Sequence, residues 1–317
     1  MYKLNDTIIE ATTYIYTYSY HDEERALCHL EMRSMFGVKN RTNIVEHSIK
    51  IDPSRSPFIK ERIEVIFKVD TLEELLEKVH LLPPFKSSFK VIVIRHDKDK
   101  IDFEERRSIE REVGLRIPGT ADLHNPDIML AIMRVNEQWI FGYYEENKSI
   151  WYLHQKKPHQ YSTALSTRVA RAVVNIAVPE LEDVKVIDPC CGIGTVLVEA
   201  LSMGIDIVGG DSNPLVMKGA RENIAHFGYN GQVILRDIRE VTESYDVAII
   251  DMPYNLCSVI TDEEQLELLQ SARRFARRVV IVTIEQIDSI VQDAGFTIVD
   301  RCEVSKGTFT RQILVCE

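Results

Sequence analysis

The stretch Val186-Ile-Asp-Pro-Cys-Cys-Gly-Ile-Gly-Thr195 decides how this 317-residue chain is read. Val184, Val186 and Ile187 make a short apolar run that ends on an acid, Asp188. A turn with Gly192 and Gly194 follows, and from Thr195 the apolar spacing becomes helical. Glycine tolerates φ > 0 and lets backbone approach a ligand closely. A strand running through such a loop into a helix presents N–H groups and a helix N-terminus to a polar ligand.

Outward from this stretch, strand and helix patterns alternate to the end of the chain. Strands are predicted at 184–187, 205–209, 233–235, 245–250 and 278–283, and helices at 195–203, 214–227, 262–274 and 287–294. Two closing strands fall near 296–304 and 310–315. This alternation predicts an α/β doubly wound parallel sheet, whose ligand lies beyond the strand carboxyl ends where the strand order switches. The loop is not a P-loop, because no Lys follows Gly194, and Leu197 occupies the third glycine position of a dinucleotide fingerprint. A generic loop or an S-adenosylmethionine (SAM) site remains. Asp211, at the end of the second strand, is placed to accept from a ribose hydroxyl. Asp237, after the third, is placed to accept from an adenine amine.

Asp188-Pro-x-x-Gly192-x-Gly194-Thr195 resembles the first motif of Rossmann-like methyltransferases. The following Asn213-Pro-x-x-x-x-x-Ala-Arg-x-Asn223 is similar to the segment that accompanies it in these enzymes. Asp251-Met-Pro-Tyr254 resembles the (Asn/Asp)-Pro-Pro-(Tyr/Phe) motif of amino-group methyltransferases. The residue types suit the chemistry. An exocyclic amine on a base is a poor nucleophile, because its lone pair is delocalised into the ring. A carboxylate and a backbone carbonyl can accept its two hydrogens and steer that lone pair towards a methyl donor, while an aromatic ring stacks the extruded base. The resemblance thus implies SAM as cofactor, bound by Asp188, Gly192, Gly194, Thr195, Asp211 and Asp237, with Asp251, Pro253 and Tyr254 as catalytic residues. Met252 departs from the family's first proline and Asn255 from a frequent glycine, so a less rigid loop is expected.

The N-terminal half alternates as well. A strand rich in aromatics (11–18) precedes an amphipathic helix (23–36) ended by Gly37, and a strand at 44–51 follows. Next come a strand (62–69), a helix from Thr71 to about Leu82, a strand (89–95), a charged helix (102–114) and Asp122-Leu-His-Asn-Pro-Asp-Ile128 leading into a hairpin. Tyr14, Tyr16 and Tyr18 belong either to a half-buried strand or to a base-stacking surface. This order resembles a ferredoxin-like unit followed by a THUMP domain, an RNA-binding module of tRNA-modifying enzymes. Its expected RNA contacts are Lys86, Lys90, Arg95, Lys98, Lys100, Arg106, Arg107 and Arg111, acting on phosphates. The expected division is 1–55 ferredoxin-like, 56–148 THUMP, 149–165 linker and 166–317 Rossmann-like methyltransferase domain. With an aspartate heading the catalytic motif, the whole is similar to tRNA guanine-N2 methyltransferases.

Bulk properties are compatible. The net charge of −11 argues against a uniformly basic nucleic-acid binder, but residues 1–160 carry 24 basic against 26 acidic side chains and the remainder 14 against 23. The acidic surplus therefore lies in the catalytic half. No apolar run is long enough for a membrane span, no secretion signal is evident, and the six cysteines show no metal-ligand spacing. A cytoplasmic protein with reduced thiols and no metal is expected. Cys190, Cys191 and Cys257 are expected to be small residues lining the site. Two alternatives stay open. One is an amino methyltransferase acting on rRNA, DNA adenine or protein glutamine. The other is a non-catalytic RNA-binding protein with a relic SAM pocket.

Overall fold

The computed structural model describes residues 12–39, 42–95, 101–253, 260–306 and 309–317. In chain order the first elements are β1 (Tyr14–Tyr18), α1 (Arg25–Phe36), β2 (Ile44–His47), β3 (Ile59–Val69) and α2 (Leu72–His80). They continue with β4 (Phe89–Ile94), α3 (Phe103–Arg116), β5 (Ile128–Val135) and β6 (Gln138–Glu146). All of these except α1 fall in one compact unit.

Its single sheet has the order β2-β1-β3-β6-β5-β4, with β4 and β5 parallel and the other neighbours antiparallel. Local chemistry fixes its corners. Thr71 Oγ1 accepts from the Glu74 N–H at 3.1 Å and Asp102 from the Glu105 N–H at 2.9 Å, capping α2 and α3. Asn136 and Glu137, both at positive φ, form the two-residue hairpin tip between β5 and β6. In the Asn-Pro-Asp turn, Asp127 accepts from both the N–H and the hydroxyl of Ser88, at 2.9 and 2.8 Å, which ties the entries of β4 and β5 together. Apolar residues of α2 and α3 (Leu75, Val79, Ile109, Val113) pack on Phe89, Leu130, Ile132 and Phe141. Every residue of β1 is buried, and the Tyr16 hydroxyl bridges the Ile49 carbonyl and the Ile51 N–H at 2.7 and 2.8 Å. The tyrosine run is therefore core and not a stacking surface.

The second unit holds the remaining elements. These are α4 (Ile150–Leu153), α5 (Thr167–Ala177), β7 (Val186–Asp188), α6 (Thr195–Ser202), β8 (Ile207–Asp211), α7 (Pro214–His226) and β9 (Gln232–Leu235). After them come β10 (Tyr245–Asp251), α8 (Asp262–Phe275), β11 (Ala276–Thr283), α9 (Asp288–Asp293), β12 (Ile298–Lys306) and β13 (Phe309–Cys316). The sheet order is β12-β13-β11-β10-β7-β8-β9, parallel except for β13, which is antiparallel to both its neighbours. Ala248–Ile250, Val279–Val282 and Ile313–Val315 are almost without exposure, as expected for strands covered on both faces. The order reverses at β7, which lies between β8 and β10, so a crevice is expected above its carboxyl end. This is the Rossmann-like arrangement anticipated from the sequence.

The second unit is discontinuous in sequence. It includes residues 19–41 with α1, and 54–58, as well as 148–317. The reason is a buried polar network. Arg171 of α5 is 1% exposed and donates to the Arg55 and Ser54 carbonyls at 2.9 and 2.7 Å. It also donates to Glu199 and Ser202, each at 2.8 Å. Glu199 bonds His154 Nδ1 at 2.8 Å, and His154 Nε2 lies 3.2 Å from the Tyr229 hydroxyl. Glu31 of α1 accepts from Ser56 and Asn175, each at 2.6 Å, and Arg55 donates to Asn175 and the Pro179 carbonyl. A buried charge must be paired and hydrogen-bonded, so these residues bring their segments into this unit. The boundary expected near residue 55 thus falls inside strand pairings of the first unit and inside this network of the second. The expected linker at 149–165 contains α4 and groups with the second unit.

Candidate active site

The crevice above β7 is a cleft of about 350 Å³, within the size of small-molecule sites, roughly 300–1,000 Å³. Its floor is the glycine loop. Gly192 and Gly194 have φ of 51° and 77°, the left-handed region, so the loop turns sharply into α6. The Cys191 N–H donates to the Gly210 carbonyl at 2.8 Å, which fixes the loop to β8. Asp211 connects two loops through one carboxylate: Oδ2 accepts from the Gly192 N–H at 2.9 Å and Oδ1 from the Asn213 N–H at 2.8 Å.

Asp188, Thr195, Asp237, Asp251 and Pro253 line the same cleft with Gly192 and Asp211. Asp237 caps the turn Ile238–Glu240, and both its oxygens hold the Arg239 guanidinium at 2.8 Å, keeping its carboxyl below the usual range. The acid is at the expected strand end but already carries a cation, which the sequence did not reveal. Carboxylates have about four acceptor positions, so capacity remains. Tyr254, Asn255 and Cys257 lie outside the described residues, as do Lys98 and Lys100. Lys90 of the expected RNA-contact group donates to the Leu123 carbonyl at 3.0 Å, while Lys86, Arg95, Arg107 and Arg111 are exposed.

The loop that follows Pro253 lies outside the described residues, but Met252 itself is firmly held. Its side chain is buried in the core, and its N–H donates to the Val282 carbonyl at 2.9 Å. A proline there has no N–H, so the substitution extends the β10–β11 ladder by one bond and anchors the motif by other means.

The electrostatics favour a cationic ligand. Burial pushes the Asp188 carboxyl well above its ordinary range; the Cys190 N–H at 3.2 Å opposes this, and Asp251 and Asp211 add to it. Burial raises Asp251 to about 7 against the pull of Arg311. Asp251 Oδ1 and Thr195 Oγ1 are buried and make no hydrogen bond among the described residues. Acids crowded around a cleft with unpartnered polar atoms fit a ligand that carries positive charge and hydroxyl or amine donors. SAM, with its sulfonium and ammonium groups and its ribose hydroxyls, has those features. Burial also raises the Cys190 and Cys191 thiols, with the neighbouring aspartates adding to the shift, so both stay protonated and are poor nucleophiles.

Two parts of the site were not assigned their roles by the sequence. Tyr161, Thr163, Ala164 and Leu165, from the expected linker, form one wall. Asn223, fully buried on α7, clamps that wall to the glycine loop. Its Nδ2 donates to the Ile193 and His159 carbonyls at 2.9 and 3.1 Å, and its Oδ1 accepts from the His159 N–H at 2.9 Å. Asn223 was visible only as the end of a motif.

Fold and cleft define a Rossmann-like, SAM-dependent methyltransferase. Residues 154–289 match the family model described as RMKL-like, methyltransferase domain. The chain is 28% identical over 232 residues to the tRNA (guanine(10)-N2)-dimethyltransferase of Methanothermobacter thermautotrophicus, covering 69% of this chain and 68% of that protein. The protein of the same name from Methanocaldococcus jannaschii is 24% identical over 241 residues, covering 64% of this chain and 68% of it. The crystal structure of TrmN from Thermus thermophilus superposes with a TM-score of 0.50 at 18% identity, covering 96% of this chain and 99% of that one, and bears on the fold alone. The family likeness read from the sequence, to the tRNA guanine-N2 methyltransferases, is shown by these relatives. Among the described residues no helix is long and apolar enough to cross a membrane.

Proposed function

We propose that this chain transfers a methyl group to the exocyclic N2 amine of a guanosine in tRNA. The observation that carries the reading is Asp251. It ends the strand beside the topological switch, faces the cofactor cleft, and keeps a buried carboxylate oxygen without a partner among the described residues. In this reading that oxygen accepts one amine hydrogen and a backbone carbonyl of the motif accepts the other. Tyr254 stacks the base. Asp188, Gly192, Gly194, Thr195, Asp211 and Asp237 hold the cofactor, and the acids around the cleft favour its cationic groups. SAM, when bound, supplies an electrophilic methyl on a sulfonium. The residues of the chain contribute position and preorganised charge, the main terms expected for an in-line transfer.

The guanosine and tRNA assignments rest on the names of the relatives, which act at position 10 and methylate twice. The strand and helix order of residues 56–148, with the Ser88–Asp127 tie, supports a THUMP assignment for that segment. The test is Asp251→Ala assayed on transcribed tRNA, with nucleosides resolved by mass spectrometry. We expect wild type to form N2-methylguanosine and the variant to bind SAM but form none. Near-normal turnover by the variant overturns the assignment.

A further inference from the structure

A second cleft, of about 360 Å³, adjoins the cofactor cleft and shares Tyr161, Ala164 and Leu165 with it. Its lining is polar and includes a cation, Lys157. Lys157 is 7% exposed, yet among the described residues its ammonium makes no hydrogen bond or ion pair. Burial lowers this lysine's pKa against the opposing pull of Glu199. Thr167, 3% exposed, has a buried hydroxyl that likewise bonds to nothing among the described residues. Both line the cleft at the N-terminus of α5, whose first turn (Thr167, Arg168) completes it. Arg168 pairs with Glu24 at 2.9 Å through one nitrogen, and its buried Nε has no partner among the described residues. A cation without a hydrogen bond among the described residues, an unpartnered hydroxyl and a helix N-terminus on the lining of one cleft match an anion with several acceptor oxygens.

We infer that this cleft binds a backbone phosphate of the RNA nucleotide whose base enters the cofactor cleft. The inference rests on the RNA reading above. A base and its own phosphodiester are joined through one sugar, and the two clefts meet at Tyr161, which is 58% exposed and available to the entering nucleotide. The phosphate would register the nucleotide while the neighbouring cleft addresses its base, the usual division between backbone and base contacts.

Lys157→Met keeps the unbranched shape and removes the charge. The full-length variant and wild type are compared for SAM affinity by calorimetry, and for binding and methylation of transcribed tRNA across a KCl series. The expected result is SAM affinity within twofold of wild type and a slope of log affinity against log salt shallower by about one. kcat/KM on tRNA should fall about tenfold, the effect of one hydrogen bond to a charged group. An unchanged slope and unchanged kcat/KM, with wild type active on tRNA, overturn the phosphate site and leave the RNA reading intact. A tenfold loss of SAM affinity also overturns it, by giving the cleft to the cofactor. Wild type that neither binds nor methylates tRNA overturns the RNA reading itself. If Lys157→Met does not fold, the isosteric Thr167→Val replaces it, with a severalfold loss of kcat/KM on tRNA supporting the site and no change overturning it.

Discussion

The Met252 N–H donates to the Val282 carbonyl at 2.9 Å, at the point where related motifs carry a proline. The bond continues the parallel ladder of β10 and β11 one residue past Asp251, whose own register partner is Val282. The residue that follows Asp251 is thus held by the same sheet.

Restoring the proline is therefore expected to harm this chain. Met252→Pro leaves the buried Val282 carbonyl without its donor, at about 1–3 kcal/mol, and removes a thioether from a packed core. A total loss of about 2–4 kcal/mol is expected in urea unfolding. A stability equal to wild type would show that the ladder bond does not anchor the motif.

Asn223→Ala should loosen the cofactor cleft from outside. Three hydrogen bonds disappear, and the glycine loop loses its tie to the 159–165 wall. SAM affinity is expected to fall at least tenfold with the fold retained, as read by calorimetry and circular dichroism. Asn223→Asp keeps the acceptor towards the His159 N–H and loses both donated bonds, so it should resemble Ala in SAM affinity.

Activity should follow the ionisation of Asp251, which burial raises to about 7. A protonated carboxyl offers a poorer acceptor to an amine hydrogen, so kcat/KM is expected to rise about tenfold per pH unit below 7 and level off above. Asp251→Asn should flatten that limb and lower the rate by about 10²–10³. Stability runs the other way. The unfolded aspartate ionises near 3.9, below its folded value. The unfolded state therefore releases the proton first, and Asp251 destabilises progressively as pH rises from about 4 to 7. Asp251→Asn should raise the melting temperature above pH 7 and leave it nearly unchanged below pH 4.

Arg171 is expected to be the most sensitive structural position. Arg171→Ala strands Glu199 and the Ser54 and Arg55 carbonyls, and a loss of about 3–5 kcal/mol is expected by urea titration. The double variant Arg171→Met, Glu199→Gln, which removes both charges, should recover part of that loss. If it recovers none, the backbone contacts and not the ion pair carry the effect.

The alternation of apolar runs was enough to locate nearly every strand and helix of the catalytic sheet. The reason is physical: a strand such as Ile249-Ile250 is buried on both faces and reads as apolar without interruption. The strand-end acids were legible because each closes such a run. Other features were not, because they depend on pairings the sequence does not display. Arg239 beside Asp237 looks like any surface arginine. Glu31, Arg55 and Arg171 look like solvated charges on amphipathic segments, yet they share one buried hydrogen-bonded network with Asn175 and Glu199. Lys157, in a run reading Lys-Lys-Pro-His, suggested only a linker. Met252 read as a weakened motif, because the bond that compensates for it comes from another strand.

The discontinuity of the second unit bears on how the chain is made. Arg55 leaves the ribosome more than a hundred residues before Asn175, and Glu31 earlier still. Helix α1 and residues 54–58 therefore emerge before the α5 partners that complete their hydrogen bonds. Only the Ser56–Glu31 bond of this network lies wholly within them, and the rest awaits α5 and α6. For the same reason a fragment cut at residue 148 or 166 would carry Arg171 and Asn175 inside it with the groups that satisfy them left behind. The region that holds the chemistry is therefore expected to keep its buried network only together with residues 19–41 and 54–58.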